Sequence, residues 1–63
     1  MSTADRDRTI VRRAWQRTRL AQEDFARDIL ECSPRTMRRI LAGERAATIH
    51  EVRRARQARS AAP

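Results

Sequence analysis

Arg35, Arg38 and Arg39 fall within one short stretch, Ser33–Gly43, which runs SPRTMRRILAG. At roughly 100° per residue they share one side of a helix with Ala42, while Met37, Ile40 and Leu41 turn to the other. Guanidinium groups arranged in this way can form bidentate hydrogen bonds to phosphate oxygens or to the O6 and N7 edge of guanine. The chemistry on offer is recognition of a polyanion rather than bond making. The remaining candidates for catalysis are thin. His50 and Cys32 are the single histidine and cysteine, and neither has metal-ligand company at useful spacing. His50 is expected at a surface or boundary, and Cys32 is better explained by packing onto Met37. Acid pairs are not set on one helical face where they would be desolvated, and no glycine loop is built to cradle a phosphate. The expectation is therefore no enzyme, no catalytic residue, no metal and no cofactor.

The stretch needs a framework to hold it, and the sequence supplies one. Ser33 is a good N-cap, Pro34 suits the first helical position, and Cys32 and Met37 take the two positions of a hydrophobic staple. Gly43 follows the last apolar residue, where a left-handed glycine ends helices. A helix over about 34–42 results, apolar on one side and cationic on the other. Before it, Gln22 opens a helix over about 22–30. Leu20 and Phe25 form its staple, Glu23 and Asp24 favour its positive end, and Phe25, Ala26, Ile29 and Leu30 make its apolar face. Alanine at position 21 is a weak cap. Gln22–Gly43 thus has the pattern of two short helices joined by a tight turn, a helix-turn-helix.

Two further helices flank this pair. The first covers about 4–17, capped by Ser2 with Asp5 at its third position, and Ile10, Val11, Ala14 and Trp15 form its apolar stripe. Thr48-x-x-Glu51 matches a capping box at the head of a helix over about 49–59, with Ile49, Val52 and Ala55 as its stripe. Its arginines, Arg53, Arg54, Arg56 and Arg59, suit either a solvated helix end or contact with phosphate or a partner. Residues 60–63 are expected to fray. Scarce glycine and proline, two aromatics and no alternating run exclude a sheet. The fold class is all-α: one domain over residues 1–63, a compact bundle of four or five short helices.

The central segment resembles the lambda-repressor-like (XRE, Cro-type) DNA-binding family, with Gln22, Ala26, Ser33, Thr36, Met37 and Gly43 on matching positions. Two departures stand out: the turn is one residue longer than the family usually has, and Glu31 occupies a place where glycine is common. The resemblance implies double-stranded DNA as partner, with the helix beginning at Pro34 in the major groove. Arg35 and Arg39 are then the expected base readers and Arg38 a flanking reader or phosphate ligand. Gln22 holds a phosphate by the same resemblance, with Ser33, Thr36 and Arg45 as weaker phosphate candidates.

Charge supports a polyanion partner independently of the motif. The net charge is +7; residues 1–32 carry seven arginines against six acids, and residues 33–63 carry eight against two. Six of the seven net positive charges therefore begin at the cationic helix. All fifteen basic residues are arginine, which suits bidentate recognition and equally reflects a GC-rich genome. A module this small is expected to bind as a homodimer on an inverted-repeat operator, with Trp15, Ile49 and Val52 as candidate dimer contacts. The expected role is a transcriptional repressor, autoregulatory and of phage or mobile-element type. Rival readings are an antitoxin-like interaction module with secondary DNA binding, and an arginine-rich RNA binder. No apolar run is long enough for a membrane span or secretion signal, so a cytoplasmic, DNA-associated location is expected, with no membrane or small-molecule partner.

Overall fold

Local signals set most of the helix ends. The structure, a computed structural model, describes residues 2–61, with side chains described through residue 58. Helix α1 spans Thr3–Thr18. The Ser2 hydroxyl accepts from the Asp5 N–H at 3.2 Å, one of the donors a helix start leaves without an intrahelical partner. It ends at Arg19, which is left-handed at φ 61°. That conformation is costly for a residue with a Cβ, and side chains brace the turn. The Trp15 indole N–H donates to the Leu20 carbonyl at 2.7 Å, and the Thr18 hydroxyl donates to the Trp15 carbonyl at 2.7 Å.

Helix α2 begins at Gln22–Phe25 and continues through Ala26–Leu30 as a π-helical turn. A π turn holds one residue more per hydrogen-bonded ring than an α turn. Glu31 then turns left-handed at φ 55°, and the N–H groups of Glu31 and Cys32 both reach the Ala26 carbonyl. This is the position where glycine would carry no Cβ penalty.

Helix α3 spans Pro34–Leu41, one residue shorter than expected, with Ala42 as its C-cap. The Ser33 hydroxyl accepts from the Thr36 N–H at 3.2 Å. At the other end Gly43 is left-handed at φ 81°. Gly43 N–H donates to the Ile40 carbonyl at 3.1 Å and Glu44 N–H to the Arg39 carbonyl at 2.9 Å. Those two bonds are the Schellman arrangement that satisfies the last carbonyls of a helix. Helix α4 spans Ile49–Ala61. Its capping box is reciprocal: Thr48 N–H donates to Glu51 Oε1 at 2.8 Å, and Glu51 N–H donates to Thr48 Oγ1 at 3.2 Å. The helix runs past the expected end at 59, and residues 62–63 of the expected frayed tail lie outside the described residues.

The four helices form a small all-α bundle without strands among the described residues. Val11 and Ala14 of α1, Phe25, Ala26 and Leu30 of α2, Met37 and Ile40 of α3, and Val52 and Ala55 of α4 make the core. Helices α1 and α4 pack together most extensively, and α2 and α3 pack on each other and on that pair. One expectation fails on α4. Ile49 is 71% exposed, whereas Glu51 is 6% exposed, so the buried stripe starts at Glu51 and continues through Val52 and Ala55. The physical cause is the capping box, which draws the carboxylate inward, together with an arginine that offsets its charge. Among the described residues no helix is long and apolar enough to cross a membrane.

Candidate nucleic-acid interface

Helix α3 is anchored by its apolar side. Met37 is fully buried and Ile40 is 1% exposed, and the Ser33 cap and the Gly43 turn fix its two ends. Half-buried Leu41 packs beside the core. With that side inward, the opposite side must face solvent. Arg35, Arg38, Arg39 and Ala42 are all exposed there. The three arginines have no ion-pair or hydrogen-bond partner among the described residues. The structure therefore brings the expected base readers together as one unpaired cationic face.

The phosphate candidates divide. Gln22 is the first residue of α2 and is half-buried. Ala21 supplies no side-chain cap, so the first-turn N–H groups beside Gln22 receive no acceptor from it. The exposed Glu23 and Asp24 sit in the same turn and oppose an anion there. Ser33 and Thr36 are engaged with each other at the head of α3, their hydroxyl oxygens 2.8 Å apart. Only one of the two hydroxyl protons lies between them, which leaves the other able to donate outward.

Arg45 is occupied elsewhere. Its Nη1 lies 3.1 Å from Glu51 Oε1 and 3.5 Å from Oε2. It neutralises a carboxylate that would otherwise be buried unpaired, a structural demand the phosphate expectation did not include. Other arginines are likewise committed to the fold. Arg8 pairs with Asp5 at 3.1 Å, Arg12 donates to the Leu41 carbonyl at 3.1 Å, and Arg54 Nε lies 2.9 Å from Glu31 Oε2. Arg53 and Arg56 on α4 are exposed without such partners among the described residues, and so are Arg6, Arg13, Arg17, Arg19 and Arg27, so unpaired positive charge is not confined to α3.

The three candidate dimer residues are not brought together as one exposed patch. Val52 belongs to the core at 8% exposure, and half-buried Trp15 packs against the core with its indole N–H bonded. Ile49 alone of the three is exposed. His50 is exposed, and half-buried Cys32 packs on the core cluster that includes Met37. Burial pushes the Cys32 thiol pKa up, the nearby Glu51 carboxylate adds to the rise, and Arg45 opposes it. Among the described residues no three His, Cys, Asp or Glu side chains converge as a metal site would require.

No family model, curated protein or solved structure matches this chain. Sequence reasoning located the α3 face, because a cap, a periodic apolar set and a terminal glycine are all local. It missed the burial of Glu51 and its pairing with Arg45, which lies six positions earlier in the α3–α4 connection, a spacing with no helical signature. The spacing of the capping box was the one available sign that Glu51 would be turned inward.

Proposed function

We propose that this protein is a sequence-specific double-stranded DNA-binding regulator of the lambda-repressor-like type, acting as a transcriptional repressor. The observation that carries the reading is the unpaired arginine face of α3, backed by Met37 and Ile40 in the core. A helix with the diameter of its backbone plus side chains fits the major groove of B-form DNA. Arg35 and Arg39 read base edges, with guanine as the natural partner, and Arg38 on the flank reads a base or holds a phosphate. Ser33 and Thr36 hold the backbone and fix register, and Gln22 does so more weakly because Glu23 and Asp24 share its turn; none of these contacts carries sequence information by itself. Exposed Ala42 fits beside a thymine methyl on the same face.

A module with so few readers gains useful specificity as a homodimer on an inverted repeat, and autoregulation in the cytoplasm of a phage or mobile-element host follows by analogy. A competition gel shift tests the function directly. Binding to a duplex selected from a random library should survive excess random duplex, should not be competed equally by RNA, and should weaken steeply with salt. Arg35→Ala or Arg39→Ala should cost about 1–3 kcal/mol on the selected site and relax preference at one base position. Full specificity in both variants would reject these residues as readers.

A further inference from the structure

Helix α3 has eight residues, so it is only about 12 Å long. Its two most buried side chains, Met37 and Ile40, lie within a single turn. A short rod anchored at one turn can rock about that anchor unless its ends are held. Both ends are tied to the α1–α4 pair by arginines. At the C-terminal end Arg12 of α1 donates to the Leu41 carbonyl, 29 positions away in sequence. At the N-terminal end Arg54 of α4 grips the turn that leads into α3. Its Nε pairs with Glu31 and its Nη1 lies 3.5 Å from the Leu30 carbonyl, where α2 ends. Each guanidinium sits at a helix C-terminus, where the dipole and the orphan carbonyls favour a cation.

We infer that Arg12 and Arg54 are positioning residues that set the tilt of α3 relative to the bundle, and so set which base edges Arg35 and Arg39 can reach. The inference rests on the proposed DNA-binding role for its consequence, but not for the tether itself. Neither residue touches nucleic acid in this scheme. Both act through the helix they hold, and both differ in this respect from the unpaired arginines of α3.

Two measurements on the full chain test it. In the free protein, amide hydrogen exchange should accelerate about two- to fivefold at Gly43 and Glu44 in Arg12→Ala, and at Glu31 and Cys32 in Arg54→Ala, with exchange at Val11 and Ala14 unchanged. Unchanged exchange at those turns overturns the tethers whether or not the protein binds DNA. The second measurement uses a library-selected duplex and a one-base variant of it, between 50 and 200 mM salt, at a temperature where circular dichroism shows the protein folded. Discrimination between the two duplexes should fall about tenfold in each alanine variant, the loss expected when one bidentate base contact is misaligned. The slope of affinity against salt should stay as in the wild type. A slope reduced by about one with discrimination intact identifies a direct phosphate contact and overturns the inference.

Arg12→Lys and Arg54→Lys keep a cation at each tether and should recover part of both effects. If an alanine variant does not fold, Arg12→Gln or Arg54→Gln, which keeps much of the side-chain stem but removes the cation, stands in. Reduced discrimination with a wild-type salt slope then supports positioning, and wild-type values of both discrimination and exchange overturn it. A wild-type protein that shows no discrimination between duplexes rejects the proposed function, while the exchange measurement still decides the tethers.

Discussion

Replacing Glu51 with alanine is expected to remove more stability than any other single surface-derived charge in this domain. The carboxylate is 6% exposed and accepts from the Thr48 N–H at 2.8 Å and from Arg45 Nη1 at 3.1 Å. The first bond is a helix N-terminal cap, whose loss costs about 1 kcal/mol. The second would reach about 1.5–3 kcal/mol for a charged hydrogen bond in a dry site. Arg45, however, keeps 33% of its side-chain surface in solvent, so its freed guanidinium recovers hydration and that loss falls to about 1 kcal/mol. The total is about 2 kcal/mol, which at about 4–8 °C per kcal/mol for a domain of this size lowers Tm by about 8–16 °C. Glu51→Gln keeps an acceptor for Thr48 and the side-chain volume, so it should lose about half as much. Thermal and urea unfolding followed by circular dichroism would give these values, and a double-mutant cycle with Arg45→Ala should return a coupling of about 1 kcal/mol. A loss under about 0.5 kcal/mol for Glu51→Ala, or zero coupling to Arg45, would refute the assignment of Glu51 as a buried hub.

Other expectations can be checked with the same unfolding measurements. Gly43→Ala places a Cβ at φ 81° and only 2.6 Å from Arg8 Nη1. Arg8 can swing aside at little cost, so the left-handed strain dominates and stability should fall by about 1 kcal/mol, with Tm down by about 4–8 °C. Phe25→Ala empties a fully buried site and should cost about 3–5 kcal/mol, comparable with the whole stability of a chain this short, so the cooperative thermal transition should be lost near 37 °C. The Cys32 thiol is held protonated in the fold above its ordinary pKa of about 8.5. Below that pH both states keep the proton and stability is full; above it the unfolded chain loses the proton first, so stability declines as pH rises toward the folded value. The chain contains no lysine and no tyrosine to obscure this limb. Tm should therefore be flat near pH 8, fall above about pH 9, and cease to fall in Cys32→Ala.

The capped helix starts and the glycine end of α3 were legible in the sequence because each depends on residues a few positions apart. Ser2 with Asp5, Ser33 with Thr36, Thr48 with Glu51, and Gly43 after Leu41 all form the bonds their spacing implies. The outward face of α3 followed from the same local information. What could not be read depends on packing between distant positions. The Arg12–Leu41 bond spans 29 positions and the Arg54–Leu30 contact spans 24, and no periodicity encodes either. The π turn over Ala26–Leu30 and the left-handed Glu31 held by Arg54 have no local sequence signal either. Ile49 misled for a related reason. An apolar residue at the head of a helix counts toward a stripe in sequence, yet the burial of Glu51 rotates the stripe away from it.

One residue type thus does two incompatible jobs, and composition cannot separate them. Arg8, Arg45 and Arg54 are each paired with a carboxylate, and Arg12 is spent on a carbonyl. A lysine could carry the same charge but not the planar fork with which Arg54 engages a carboxylate and a carbonyl at once. The net charge of +7 is therefore a poor measure of the charge presented to a ligand, because it counts arginines without regard to where their guanidinium groups point. Counterion release on binding a duplex depends on phosphates contacted, not on net charge. For this protein the salt slope should accordingly track the unpaired arginines of the α3 face, Arg38 foremost, and should be insensitive to Arg8, Arg12, Arg45 and Arg54.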